Sequence, residues 1–269
     1  MQSHDARFVG SIPVAYDQHL GPVLFEVHAK NIAGRLQITP GMRVLEVASG
    51  TGIVTRHLLD RLPADAKLVA TDLNAPMVDY AREALPPDPR LELRTADAQV
   101  LPFADASFDA YVCQFGIMFF PDKALALREA KRVLKPGGQL LFNVWRPQAE
   151  NPFAATVQAL VLRRFAENPP QFYKVPFSWG DPAVILPALQ AAGFQDGSCT
   201  PLTNTIEPES PEHFARGLIL GNPLSLELAD RGITDTDAFV AEVADAIAAA
   251  CGKAPCRIEM NTVMVRARA

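Results

Sequence analysis

Three carboxylates stand at or just beyond the ends of three short apolar runs, and the first run breaks into a glycine loop. Val44-Leu45-Glu46-Val47 passes into Ala48-Ser49-Gly50-Thr51-Gly52 and then into a stretch of helical pattern. Glycines at such a strand-to-helix turn let the backbone approach a ligand closely, and the first helical turn offers unpaired N–H groups. The pattern reads as a nucleotide-type cofactor site. A carboxylate at Glu46 would repel a dinucleotide pyrophosphate and favour a cofactor carrying an ammonium and a sulfonium. Thr55 stands where a dinucleotide fingerprint would carry its third glycine.

The second run, Val69-Ala70-Thr71-Asp72, ends 20 residues beyond Gly52, the interval of a second βα unit. Asp72 is placed to accept from a ribose diol. The third, Leu91-Glu92-Leu93-Arg94-Thr95, leads into Ala96-Asp97-Ala98. A carboxylate followed by a backbone N–H can read the amino group and a ring nitrogen of adenine. Each acid has a plainer reading: Asp72 as a cap before Asn74-Ala75-Pro76, Asp97 as a loop turn, and Glu46 as a buried acid serving loop hydrogen bonds.

Periodicity gives the strands and helices that carry these residues. Strands are expected at 43–47, 67–72, 90–95, 108–113 and 138–145, with helices at 52–62, 74–84 and 122–134 between them. That alternation is a doubly wound parallel α/β sheet, which binds ligands beyond the C-terminal ends of its strands. Val14, Leu20, Val23, Leu24, Val27, Ile32 and Leu36 mark one or two lid helices before Thr39-Pro40-Gly41.

Together with Leu101-Pro102-Phe103-Ala104-Asp105-Ala106-Ser107-Phe108-Asp109, Gln114-Phe115-Gly116-Ile117-Met118-Phe119-Phe120 and Glu129-Ala130-Lys131-Arg132-Val133-Leu134-Lys135-Pro136-Gly137-Gly138, these motifs resemble the class I S-adenosylmethionine-dependent methyltransferases. Within that class the chain is most similar to small-molecule methyltransferases with a ubiquinone/menaquinone-methyltransferase-like core. Ala48 replaces the first glycine of the usual loop, and the turn is expected to accept it at negative φ. The resemblance implies S-adenosylmethionine as cofactor and S-adenosylhomocysteine as product. It also implies cofactor contacts from Tyr16, Glu46, Ala48, Gly50, Gly52, Asp72, Leu73, Met77, Asp97, Ala98 and Gln114. The expected architecture is a Rossmann-like, doubly wound seven-stranded sheet with N-terminal lid helices and an inserted helical cap.

Six segments are expected. They are lid helices at 1–40, a cofactor-binding core at 41–145, cap insertions at 146–180 and 208–231, and completion of the sheet by 181–207 and 232–269. The last strand, within 256–268, should pair antiparallel with one inside 196–207. Twelve apolar cap residues (Phe153, Val157, Leu160, Val161, Phe165, Phe172, Tyr173, Phe177, Trp179, Phe214, Leu218 and Leu220) would line an acceptor pocket if even a third faced inward. Displacement at a sulfonium needs alignment and dryness more than side-chain chemistry. Should a base be needed, His19 or Tyr16 on the lid is the candidate, with His28 and His213 behind them.

A chain of 269 residues with 49% hydrophobic content buries one substantial core. Its net charge of −5 and lack of a basic run exclude nucleic acid as partner. No window suits a membrane span, so a cytoplasmic protein is expected, with a hydrophobic small molecule as acceptor and a homodimer left open. Cys113, Cys199, Cys251 and Cys256 form no C-x-x-C pair; Cys251 and Cys256 could pair, but a reducing compartment and the absence of other bridges favour free thiols, and no metal site is expected. Two rival functions are an NAD-binding oxidoreductase and a catalytically silent cofactor-binding interaction module.

Overall fold

Strands β1 (Arg43–Val47), β2 (Lys67–Asp72), β3 (Leu91–Thr95), β4 (Phe108–Gln114), β5 (Leu134–Trp145), β6 (Gln195–Ile206) and β7 (Ile258–Arg268) make one sheet in the order β3-β2-β1-β4-β5-β7-β6. The computed structural model describes residues 6–233, 235–251 and 256–269. The first five strands are parallel, and β7 runs antiparallel between β5 and β6. This is the seven-stranded sheet expected from the sequence. β1 and β4 are central and almost wholly buried, as their continuous apolar runs require. β5 begins at Leu134 rather than at 138, because Lys135-Pro136-Gly137-Gly138 stays extended into the ladder.

Helices α3 (Ile53–Arg61), α4 (Ala75–Ala84), α5 (Lys123–Val133) and α7 (Pro182–Ala191) connect the strands. The lid is α1 (Ile12–Ala15), a π-helical segment Tyr16–Phe25, and α2 (Glu26–Arg35). Pro22 lies inside the π-helical stretch. Its ring would clash with the carbonyl four residues back in an α-helix and it donates no N–H, so a wider turn is a natural accommodation. Residues 1–5 of the expected lid lie outside the described residues.

The cap contains α6 (Pro152–Arg164), α8 (Pro211–Leu220) and α9 (Leu224–Ala229). Helix α10 (Thr236–Cys251), expected with the sheet, packs against α6 and α8 instead. Gly217 and Gly221 let α8 approach the lid: a Cβ on Gly217 would lie 2.6 Å from Leu20 Cδ2 and 2.8 Å from His19 Cβ. Cys113 and Cys199 are free. Cys256 is disulfide-bonded, which corrects the free-thiol expectation there. That expectation rested on compartment, whereas a disulfide is decided by the distance at which the backbone holds two sulfurs.

Candidate active site

The loop after β1 is built from left-handed residues. Ala48 has φ 54°, Gly50 56° and Gly52 90°, the last at the N-terminus of α3. The negative φ expected at Ala48 is thereby corrected. The tertiary path forces an alanine into a region that disfavours its Cβ. The loop is held from β2, where Asp72 Oδ2 accepts the Gly50 N–H at 2.9 Å and the Thr71 carbonyl accepts the Ser49 N–H at 2.9 Å. Asp72 Oδ1 accepts the Asn74 N–H at 2.8 Å, so the plainer structural role and exposure to the cavity coexist in one residue.

The loop is also clasped by the lid. Thr51 Oγ1 donates to Asp17 Oδ1 at 2.8 Å, and the Tyr80 hydroxyl donates to Asp17 Oδ2 at 3.1 Å. The sequence does not single out Asp17, although it sits beside Tyr16. Nothing local marks a carboxylate whose two partners lie 34 and 63 residues away.

A cavity of about 400 Å³ opens above the C-terminal ends of β1, β2, β4 and β5. Of the residues singled out from the sequence, Tyr16, Ala48, Gly50, Asp72, Leu73, Met77, Asp97, Ala98 and Gln114 line it. Glu46, Gly52, His19, His28 and His213 do not. Glu46 is buried behind the loop and accepts from Thr55 Oγ1 at 2.7 Å. Burial raises its pKa to about 8, with Asp72 adding to the rise and the Thr55 bond opposing it. A group neutral at pH 7 repels no pyrophosphate, so the electrostatic choice of cofactor attributed to Glu46 is withdrawn. Gly52 is required for another reason: a Cβ there would lie 2.9 Å from Leu85 Cδ1.

Asp72 is likewise raised by burial, with the N–H groups of Asn74 and Gly50 pulling it back. Asp97 keeps an exposed edge toward the cavity while its Oδ1 accepts the Gln99 N–H at 2.8 Å, the turn anticipated as its plainer role. Tyr16 stacks on Phe25 with ring centroids 4.6 Å apart. Burial, with Asp72 and Asp17 nearby, drives its pKa upward, which holds the phenol protonated. His19 instead meets His213 across the lid–cap contact, Nδ1 to Nε2 at 3.2 Å.

The far half of the cavity is aromatic. Phe115 and Trp145 stack at 4.3 Å with planes 8° apart, and Phe115 is held at φ 48° by its N–H donating to Asn143 Oδ1 at 3.1 Å. Five of the twelve cap candidates face in: Phe153, Phe172, Tyr173, Phe177 and Leu218. The other seven build the cap's own packing and its contact with the sheet. Phe8, Leu24, Phe25, Phe119, Phe120, Trp145 and Asn222 are among the further lining residues that the sequence did not assign to the site. Phe119 and Phe120 lie inside one of the family-like motifs; Phe8 has no local signal. Among the described residues the ionisable side chains lining the cavity are Tyr16, Asp72, Asp97 and Tyr173. They include no cation and no histidine. Burial raises Tyr173, whose hydroxyl donates to the Leu218 carbonyl at 3.2 Å.

Residues 45–142 match a family described as a methyltransferase domain. The chain is 39% identical over 115 residues to a ubiquinone/menaquinone biosynthesis C-methyltransferase of Laribacter hongkongensis, covering 41% of this chain and 47% of that protein. It is 34% identical over 146 residues to the corresponding protein of Hahella chejuensis, covering 52% and 59%. The chain thus spans about half the length of the curated relatives it matches. In structure it is similar to a crystal structure described as a methyltransferase from Bacillus halodurans, at TM-score 0.57 and 22% identity over 91% of this chain and 98% of that one. That likeness concerns the fold. No helix among the described residues is long and apolar enough to cross a membrane.

Proposed function

We propose, on the premise that residues 45–142 form a domain of the class I S-adenosylmethionine-dependent methyltransferase family, that this chain methylates an uncharged, apolar small molecule. One observation carries the reading: a single cavity joins an acidic, glycine-walled half to an aromatic half. The first half fits the cofactor. A Cβ on Gly50 would meet nothing within 4 Å, so the backbone lies open to a ligand, and Asp72 and Asp97 supply acceptors at two depths. Leu73 and Met77 offer apolar surface between them for a ribose and a purine.

The bound cofactor would supply a methyl group on a sulfonium, which an electron pair of the acceptor, on a heteroatom or an electron-rich ring carbon, would take in one displacement while the C–S pair left with sulfur. The chain's own part is to bind, align and keep out water. Tyr16 and Phe25 line the same cavity as the stacked Phe115 and Trp145. Among the described residues no histidine or unpaired acid faces the aromatic half, so the acceptor reaches the site already nucleophilic, and a proton it loses passes to solvent. Relatives named for ubiquinone and menaquinone C-methylation make a quinone precursor the first acceptor to try.

Calorimetric titration with S-adenosylhomocysteine, with NAD as the control, tests the cofactor. Micromolar binding of the former alone supports the proposal, and preference for NAD would replace it with the oxidoreductase reading. Transfer of a labelled methyl group to reduced quinone precursors and other apolar acceptors then tests the reaction. Binding without transfer to any of them would favour a silent cofactor-binding module.

A further inference from the structure

A second cavity, of about 240 Å³, lies against the opposite end of the sheet. Arg35 reaches it from the last turn of α2, Gln37 from just beyond, Gln139 from β5, Asp196 from the irregular start of β6, and Arg266 and Arg268 from the end of β7. Residues two apart on a strand share a face, so Arg266 and Arg268 present both guanidiniums on one side, opposite Leu141 and Gln139.

The partners of Arg35 and Arg268 are neutral. Arg268 Nη1 donates to the Gly137 carbonyl at 3.2 Å and Nη2 to Gln37 Oε1, while Arg35 Nε donates to Asn31 Oδ1 at 2.8 Å. Gln37 and Gln139 are locked together: the Gln37 N–H donates to Gln139 Oε1 at 2.9 Å, and Gln139 Nε2 donates to the Gln37 carbonyl at 2.7 Å. None of the three guanidiniums forms an ion pair among the described residues. Three positive side chains against one acidic one, Asp196, leave an excess of two in a chain of net charge −5.

We propose that this cavity binds a small dianionic phosphoryl group. Guanidinium forks match tetrahedral oxyanions in geometry, and a dianion cancels the local excess. The volume equals that of about eight waters at ~30 Å³ each, enough for a phosphate and a short ester stem but not for a nucleotide. Such an anion would tie the end of α2 to β7. Because Phe25, immediately before α2, lines the first cavity, the two sites lie at opposite ends of one lid helix.

The test is calorimetric titration of the full chain at pH 8 and constant ionic strength with inorganic phosphate and, separately, glycerol 3-phosphate, with chloride and acetate as controls. Saturable one-to-one binding is expected, weakened at least tenfold in the Arg266→Gln/Arg268→Gln double variant with its unfolding midpoint unchanged. Equal affinity for both probes assigns the site to the free anion; tighter binding of the ester assigns it to a phosphorylated metabolite. Arg266 is exposed on its strand, so the single variant Arg266→Gln keeps the test sound if the double variant folds poorly. Binding no stronger than that of chloride, or binding undiminished in Arg266→Gln, would overturn the proposal.

Discussion

The Ala48 methyl stands where a side chain on Gly116 would have to go. A Cβ on Gly116 would collide with Ala48 Cβ and lie 2.7 Å from Cys113 Sγ, so the loop after β1 and the turn after β4 are in contact because one of them lacks a side chain. Gly116→Ala should therefore destabilise the protein by about 1–3 kcal/mol, the usual range for overpacking. Ala48→Gly should restore part of that loss, since it removes one collision and relieves an alanine at φ 54°, while the Cys113 contact persists. Denaturant midpoints in a double-mutant cycle measure this. Strictly additive effects would show that the two residues do not meet.

Asp72→Ala removes the acceptor for the Gly50 and Asn74 N–H groups and an acidic wall of the cavity together. Binding of S-adenosylhomocysteine should weaken by roughly 2–4 kcal/mol, read by calorimetry. Undiminished affinity would leave Asp72 as a loop clamp alone.

His28 is buried with neither ring nitrogen hydrogen-bonded, packed edge-on against Phe115 and Trp145, and burial lowers its pKa to about 4. As pH falls through 6.5 the unfolded chain takes up a proton that the native state refuses until about pH 4. Stability is therefore lost across that window, by about 3 kcal/mol at its acid end. His28→Leu should flatten this part of the stability profile. An unchanged slope would mean that His28 ionises normally.

Glu46 works in the opposite direction. Its folded pKa of about 8 lies above the ordinary 4.5, so the unfolded chain releases the proton first and stability falls as pH rises between those values. Glu46→Gln keeps an oxygen to accept from Thr55 and has no charge to bury. It should be more stable than the parent at pH 8 and close to it at pH 4.5, as thermal melts at the two pH values would record.

Tyr16→Phe and His19→Ala should each leave turnover within about threefold of the parent. The Tyr16 phenol is held protonated, and His19 points to His213 rather than into the cavity. A general base would cost 10²–10⁴-fold when removed, so a loss of that size in either variant would identify one.

Much of the fold and half of the site are legible in the chain's local patterns. Strand periodicity, the glycine loop and the spacing of Asp72 and Asp97 from it are of this kind. Local backbone preference and one-sided burial translate them directly into β1 to β4 and their ligand-facing ends. Other properties have no local signature. Glu46 is a neutral buried acid rather than a charged selector because desolvation depends on what packs around it. Ala48 takes a left-handed turn because Asp72 and Gly116 dictate the loop's path. Which five of twelve apolar cap residues face the cavity depends on how α6, α8 and α10 pack. Asp17 becomes a clasp, and Arg35 a neighbour of Arg266, only through contacts between distant segments. The main strands and helices and their order can be read from the chain alone, because they follow from interactions a few residues apart. Tertiary structure alone decided charge states, strain and the wall of the acceptor space, because those depend on residues brought together from across the chain.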